Sequence, residues 1–290
     1  MRERPKDLEA YILARLRNYS RENLLVHQDV LTYYGLERFL YRLSQSKWNS
    51  DFVLKGALAM LVWSPPTRRS TLDIDLRGFL PADIGEITEV IKQVCQLDVE
   101  PDGVRFDPDS IEAEHIVEGA EYSGIRVRLV GYIARTRLYI QLDIAFTGPL
   151  IPQPEVSTFP TILDLPAPHI RAYRPEQVIA EKLEAIAQLG TINSRIKDFY
   201  DIWVIQRTQS LDTNALIQSI NAIFAARGTE IPRSVIAALD EDFIERTESS
   251  WQIFLKRIGE DPKSISFAEV LEDIDAFLAP VFVTIHVQKQ

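Results

Sequence analysis

Two acidic residues alternate with apolar ones in the stretch Arg69-Ser70-Thr71-Leu72-Asp73-Ile74-Asp75-Leu76. This alternation is typical of a β-strand, because successive side chains of a strand point to opposite faces. The leucine and isoleucine residues are therefore expected to face a core. Asp73 and Asp75 would share the other face, about 6.6 Å apart at a rise of about 3.3 Å per residue. Two carboxylates at this spacing can bind one Mg²⁺ ion, although the same pattern also occurs on solvent-exposed strand faces.

Two further segments favour a catalytic interpretation of the acids. Residues 51–63 predict a short strand that breaks at Gly56 into a helix, a geometry that directs backbone N–H groups at a bound anion. Residues 138–146 predict a second strand with Asp143 in its interior. Two acids on one strand and a third on another provide the minimum set for two-metal phosphoryl chemistry.

The residues that flank the acids suit a triphosphate. Arg69, Ser70 and Thr71 could bind phosphate oxygens through guanidinium and hydroxyl groups. Turn formation and solvation explain the same residue types without a ligand. Lys55, beside Gly56, has the same two interpretations, since a lysine at a strand end faces either solvent or a phosphate.

The composition limits the ways in which the protein can bind its partners. A net charge of −10 over 290 residues argues against binding to nucleic acid through a general positive field, so any such contact must be local. The densest basic cluster is Arg126, Arg128, Arg135 and Arg137, either a solvated sheet edge or a substrate-binding rim. The single cysteine, the scattered histidines and the lack of a long apolar stretch predict a cytoplasmic protein without disulfide, zinc or membrane span.

The periodicity divides the chain into three predicted parts. Residues 1–48 predict an N-terminal helical lobe, residues 49–160 a core of mixed strands and helices, and residues 161–290 a C-terminal helical domain that completes the active-site cleft. The proline-rich segment 148–168 predicts an extended crossing. Further strands are expected at 125–130 and 132–134, and further helices at 83–97, 175–189, 194–208, 212–227, 231–246, 250–258 and 266–278. The predicted class is α+β with a mixed sheet.

Charged residues interrupt the apolar faces of two C-terminal helices. Lys182 lies on the same stripe as Val178 and Ile186, where it either extends to the rim or reaches into a cleft. Asp198 shares a helix face with apolar residues, and a buried acid needs a partner, for which Lys182 is the candidate. Lys197 and Asp201 are expected to form a solvated helix pair or cap.

Four segments together resemble the AbiEii/AbiGii family of nucleotidyltransferase toxins, which includes the MenT toxins. They are Val53-Leu54-Lys55-Gly56, the acidic stretch, Pro175-Glu176-Gln177-Val178-Ile179-Ala180-Glu181-Lys182, and Lys197-Asp198-Phe199-Tyr200-Asp201. The resemblance implies a DNA polymerase β-like nucleotidyltransferase core, Mg²⁺, a nucleoside triphosphate donor and a cognate antitoxin, expected to be a winged-helix regulator. Several relatives act on the 3′ end of tRNA in phage defence or growth control.

The resemblance also assigns roles to individual residues. Asp73 and Asp75 take the place of the metal-binding acids, and Thr71 with Ser70 that of the preceding hydroxyl. Lys182 corresponds to the lysine of the third motif and Asp198 to the acid of its partner helix. The chain departs from the family at 57–58, where Ala-Leu follows Gly56 in place of the usual Gly and Ser or Thr, so one potential phosphate ligand is missing.

Three functions are compatible with these residues. The first is a Mg²⁺-dependent toxin that transfers a nucleoside monophosphate to RNA, with the 3′ end of tRNA as one acceptor and Asp143 assisting deprotonation. The second keeps the chemistry but modifies a small molecule or a protein hydroxyl. The third is an inactive family member that only binds its partner, suggested by the altered residues after Gly56.

Overall fold

A computed structural model of the chain describes residues 7–63, 73–118, 121–190, 195–236, 239 and 241–288. Its described residues form two compact units. The first lies within Met1–Val62, Ser70–Thr147 and Glu155–Ala172, and the second within Trp63–Arg69, Gly148–Pro154 and Tyr173–Gln290. The first unit carries the sheet and the second is helical.

The first unit is built around a mixed seven-stranded sheet. In chain order, its strands are β1 (Phe52–Lys55), β2 (Ile74–Gly78), β3 (Arg105–Glu118), β4 (Glu121–Ile133), β5 (Thr136–Ala145), β6 (Glu155–Thr158) and β7 (His169–Ala172). Their spatial order is β3-β4-β5-β2-β1-β7-β6. The pairs β2–β5 and β1–β7 are parallel and the remaining neighbours are antiparallel. The predicted α+β class with a mixed sheet is confirmed.

Helices of the same unit pack against the sheet. They are α1 (Leu8–Glu22), α2 (His27–Gln45), α3 (Gly56–Trp63) and α4 (Ile84–Cys95). Helix α2 contacts β5 and β7, α4 contacts β3, and α1 contacts β4. Ile74 and Leu76 of the acidic stretch are fully buried in this core, as predicted, whereas Leu72 lies outside the described residues. Alternate residues of β2 therefore lie on the buried face and on the more exposed face of the sheet.

The second unit contains α5 (Pro175–Leu189), α6 (Ile196–Thr208), α7 (Thr213–Arg227), α8 (Glu241–Arg257) and α9 (Phe267–Gln288). Pro175 opens α5 and Gly190, at φ 50°, ends it, as predicted. Within α6 to α9, an aromatic cluster that includes Phe199, Trp251 and Phe267 forms part of the core. None of the described helices is long and apolar enough to cross a bilayer.

The structure corrects three helix predictions. Residues 231–235 are not helical, and the helices expected at 231–246 and 250–258 are replaced by the single helix α8. The last helix is predicted to end at 278, but α9 continues through Pro280 to Gln288. Buried residues beyond the proline, Val281, Phe282 and Ile285, prolong its apolar stripe, and their packing outweighs the missing backbone hydrogen bond.

The strand predictions are corrected as well. Strand β3 was not predicted, because its charged sequence and Pro108 do not suggest a strand. The strands expected at 125–130 and 132–134 form the single strand β4. The proline-rich crossing contains β6, which pairs with β7. Strands β3 and β6 lie at the two edges of the sheet. Their charged and proline-containing sequences can form strands there, since an edge strand tolerates proline and charge on its unpaired side.

Candidate active site

Asp75 of β2 lies on the polar face of the sheet, opposite the helix-packed core. Asp75 is directly opposite Lys55 of β1 and directly opposite Asp143 of β5. Asp143 is opposite Arg126 of β4, which is opposite Glu114 of β3. Residues paired in this way present their side chains on the same face. The five residues therefore form one line across five strands, called here the charged row.

Arg126 and Asp143 form the tightest contact of the charged row. The Nε of Arg126 donates to Oδ1 of Asp143 at 2.7 Å, and its Nη2 donates to Oδ2 at 2.6 Å. The hydrogen bond to Asp143 raises the pKa of Arg126, and the charges of Glu114 and Asp73 add to this effect. Both oxygens of the expected third carboxylate are thus occupied by a guanidinium. The sequence placed Arg126 in a basic cluster but gave no sign of this pairing, because the partners are 17 residues apart.

Gly56 shapes the space beside Asp75. Strand β1 ends at Lys55 and α3 begins at Gly56, which confirms the predicted junction. Gly56 has a φ of +65°, a conformation that side chains disfavour. A Cβ at this position would lie 2.0 Å from Oδ2 and 2.7 Å from Cγ of Asp75. Glycine is therefore required at this position for two reasons: the backbone conformation disfavours a side chain, and the Asp75 carboxylate leaves no room for one.

Replacing Gly56 by alanine is expected to reduce both stability and activity. The left-handed backbone alone costs about 1–2 kcal/mol, and displacement of the Asp75 carboxylate adds to that cost. Denaturant unfolding and the rate of nucleotide transfer measure the two effects. Gly228→Ala is the matched control, since Gly228 has a φ of +67° with no atom near its Cβ position. Equal losses of stability and unchanged activity in both variants would contradict the packing role of Gly56.

The donor atoms at this site fit a hard cation. Asp73 directly precedes β2, and both it and Asp75 are partly exposed. Among the described residues, no group of three or more histidine, cysteine or acidic side chains is arranged to hold a metal. Mg²⁺ is commonly bound by one or two carboxylates together with substrate phosphates and water, so an acid pair is a sufficient protein contribution. The predicted phosphate-binding residues Arg69, Ser70 and Thr71 lie outside the described residues.

A second polar cluster lies in the helical unit. The Nζ of Lys182 is 2.7 Å from Oδ1 of Asp198 and 2.7 Å from Oδ2 of Asp201. The predicted pairing of Lys182 with Asp198 is confirmed. The prediction for Asp201 is wrong: its side chain is 1% exposed, so it is a second buried partner of the lysine and not a solvated one. The i, i+3 spacing places both acids on one side of α6, but it gives no sign that Asp201 is buried.

The two acids keep Lys182 charged. Burial of Lys182 opposes its charge, but the carboxylates of Asp201 and Asp198 outweigh the burial and raise the pKa of Lys182 above its usual value. Arg195 adds a longer contact, 3.7 Å from its Nε to Oδ2 of Asp198. Lys197, the other lysine of this segment, is exposed. The cluster therefore holds a protonated amine in a fixed position at neutral pH.

The fold is α+β with a mixed sheet, and its acid pair lies beside a helix that begins at a glycine. This combination is consistent with enzymes that transfer nucleotides. A family model described as "Nucleotidyl transferase AbiEii toxin, Type IV TA system" matches residues 38–279. The protein is thus a nucleotidyltransferase, and the chain belongs to the AbiEii toxin family of type IV toxin–antitoxin systems. The resemblance noted in the sequence is confirmed.

Comparison with solved structures supports the fold. The crystal structure of JHP933 from Helicobacter pylori is similar with a TM-score of 0.52 and 13% sequence identity, covering 91% of this chain and 96% of that one. A second Helicobacter pylori structure, of a candidate nucleotidyltransferase, gives a TM-score of 0.46 at 13% identity, covering 87% and 94% of the two chains. The similarity to JHP933 shows a shared fold at low identity. No curated protein matched the chain.

Proposed function

We propose that this protein is a Mg²⁺-dependent toxin that transfers a nucleoside monophosphate from a nucleoside triphosphate to an RNA acceptor, with the 3′ end of tRNA as one candidate. The observation that carries the proposal is the position of Asp75, between Lys55 and Asp143 in the charged row and against Gly56. Family membership supports the transferase chemistry and an antitoxin partner. A DNA polymerase β-like arrangement of the core is part of the proposal.

The chemistry assigns a task to each residue. Asp73 and Asp75 would hold Mg²⁺ together with the triphosphate. When bound, Mg²⁺ neutralises phosphate charge and orients the reacting phosphate. The acceptor hydroxyl oxygen attacks the α-phosphorus, the bond to the pyrophosphate breaks, and pyrophosphate leaves. Most of the rate enhancement would come from positioning and charge neutralisation.

The hydroxyl proton needs an acceptor, and Asp143 is the proposed one. Its two oxygens accept hydrogen bonds from Arg126, and opening of this salt bridge would free more of the carboxylate to take the proton. A nearby phosphate could attract the guanidinium away from Asp143, because arginine binds phosphate as well as carboxylate. Lys55, Lys182 and the residues Arg69, Ser70 and Thr71 are proposed to contact the triphosphate, with Asp198 holding Lys182 in place.

Transfer of label from nucleoside triphosphates tests this function. The protein is incubated with Mg²⁺ and each of the four α-³²P-labelled triphosphates, in the presence of total RNA. Label in an RNA band that requires Asp75 supports the proposal. No label from any of the four triphosphates would argue strongly against it.

The acidic net charge favours a second candidate, a cationic small-molecule acceptor. A parallel reaction with aminoglycosides and with cell protein in place of RNA separates the candidates, because only the true acceptor takes the label. An inactive partner-binding protein would label nothing, and its cellular toxicity would be unaffected by Asp75→Ala. A gene for a small winged-helix regulator beside this one would support the toxin assignment.

A further inference from the structure

The polar face of the sheet carries a second set of residues, at the far end of β4 and β5 from the charged row. Arg105 of β3 is opposite Tyr132 of β4, and Tyr132 is opposite Arg137 of β5. Tyr139 follows two residues after Arg137 on the same strand face. These four residues, called here the arginine–tyrosine patch, share their face with Arg126 and Asp143, because alternate residues of a strand point the same way.

Within the patch, one guanidinium group lies over an aromatic ring and a second tyrosine ring is exposed. The guanidinium of Arg105 lies 4.9 Å from the ring centroid of Tyr132, a cation–π distance. The neighbouring phenol groups of Tyr139 and Tyr132 raise the pKa of Arg137. Tyr139 is nevertheless 63% exposed. Its ring is thus open to solvent over much of its area.

The charge of the patch is opposite to that of the protein. The chain has a net charge of −10, yet Arg105 and Arg137 are both exposed here. On the same face of β3, an acid, Asp107, lies two residues after Arg105. Asp107 also accepts a hydrogen bond from the backbone N–H of Asp109. Closer to the charged row, Arg128 is already paired with Glu114 at 2.8 Å. At this end of the sheet face, arginines are paired less closely with acids than they are near the charged row. The arginines of the patch can therefore bind an anionic ligand.

Arginines beside an exposed tyrosine are suited to single-stranded nucleic acid. Guanidinium groups bind the phosphates, and tyrosine rings stack on bases without regard to sequence. Along β5, Asp143 lies four positions after Tyr139, a distance of about 13 Å at about 3.3 Å per residue. The last few nucleotides of a strand could therefore stack on the patch while the terminal ribose reached the acids.

We propose that the arginine–tyrosine patch binds a single-stranded end of the acceptor polynucleotide and directs it along β4 and β5 to the acid pair. This inference rests on the proposed function, since it specifies how the RNA acceptor is held. An acidic protein partner could pair with the arginines, but arginines placed beside an open aromatic ring on one sheet face provide both the phosphate contacts and the base-stacking surface that single-stranded nucleic acid needs. The exposed aromatic surface favours the nucleic acid.

Binding of a fluorescein-labelled, unstructured RNA oligonucleotide, followed by fluorescence anisotropy without triphosphate, tests the proposal. The variant Arg137→Glu/Tyr139→Ala is expected to raise Kd by about tenfold or more, because it removes one phosphate contact and one stacking surface. The dependence of affinity on salt should also weaken by about one phosphate contact. The matched control is Arg21→Glu/Tyr11→Ala, which makes the same changes at exposed positions of α1. It should bind like the wild type.

The outcomes separate the patch from the reaction. Wild-type affinity in the patch variant overturns the proposal, even if label transfer to RNA is observed. Loss of binding to an acidic protein partner with RNA affinity intact would also overturn it, and would assign the patch to that partner. If the wild type neither binds nor labels RNA, the proposed function itself fails. Circular dichroism and the thermal midpoint check that both double variants fold, and binding of the Mg²⁺–triphosphate complex should be unchanged in both.

Discussion

Replacing Asp75 by asparagine is expected to lower the rate of nucleotide transfer by about a thousandfold. The amide removes a negative metal ligand, and charge stabilisation by a bound metal contributes several kcal/mol to phosphoryl transfer, where about 1.4 kcal/mol equals a factor of ten. Stability should change little, because the side chain is partly exposed and asparagine has the same shape. The initial rate of label transfer at saturating Mg²⁺ measures the effect.

A matched control for this variant is Asp83→Asn in the same unit. Asp83 caps α4 by accepting a hydrogen bond from the backbone N–H of Glu86, and asparagine caps helices equally well. The control therefore makes the same chemical change away from the charged row and should keep wild-type activity. A normal rate in Asp75→Asn, or an equal loss in both variants, would remove Asp75 from the mechanism.

Replacing Asp201 by alanine is expected to lower the free energy of unfolding by about 3 kcal/mol. The carboxylate is almost fully buried, and its loss leaves the ammonium of Lys182 with Asp198 as its remaining short carboxylate contact among the described residues. Breaking a buried ion pair by removing one partner typically costs about 3–5 kcal/mol. Because the contact to Asp198 remains, the expected loss of stability for this variant is at the lower end of that range. Urea denaturation followed by circular dichroism measures the change.

Lys197→Ala provides the comparison for Asp201. It removes a charge from the same helix at an exposed position, where substitutions usually change stability by less than about 0.5 kcal/mol. Nucleotide transfer should fall in Asp201→Ala and remain normal in Lys197→Ala if Lys182 contacts the donor. Similar stability of the two variants would mean that Asp201 does not hold the lysine.

Several features of the site could be predicted because they are local. The alternation around Asp73 and Asp75 identifies a half-buried strand, and the glycine after Lys55 marks the change from strand to helix. The pairing of Lys182 with Asp198 follows from two charges on apolar helix faces that need each other. Each of these predictions depends on spacing within a few residues, or on the need of a buried charge for a partner.

Other features depend on strand register and on burial that no single segment reveals. The contact between Arg126 and Asp143 requires β4 and β5 to pair in one register, and a slip of one residue would place the two side chains on opposite faces. Asp201 has an ordinary helix-surface spacing, and only the packing of α5 against α6 buries it. Strand β3 has a polar sequence because it lies at the sheet edge.

The binding of a divalent cation by Asp73 and Asp75 is tested most directly by titration with Mn²⁺. Free Mn²⁺ is measured by electron paramagnetic resonance in the presence of a triphosphate analogue that cannot react. The expected result is tight binding to the wild type and to Asp83→Asn, and loss of that binding in Asp73→Asn and Asp75→Asn. Equal Mn²⁺ binding by all four proteins would contradict the assignment of the acid pair as the metal site.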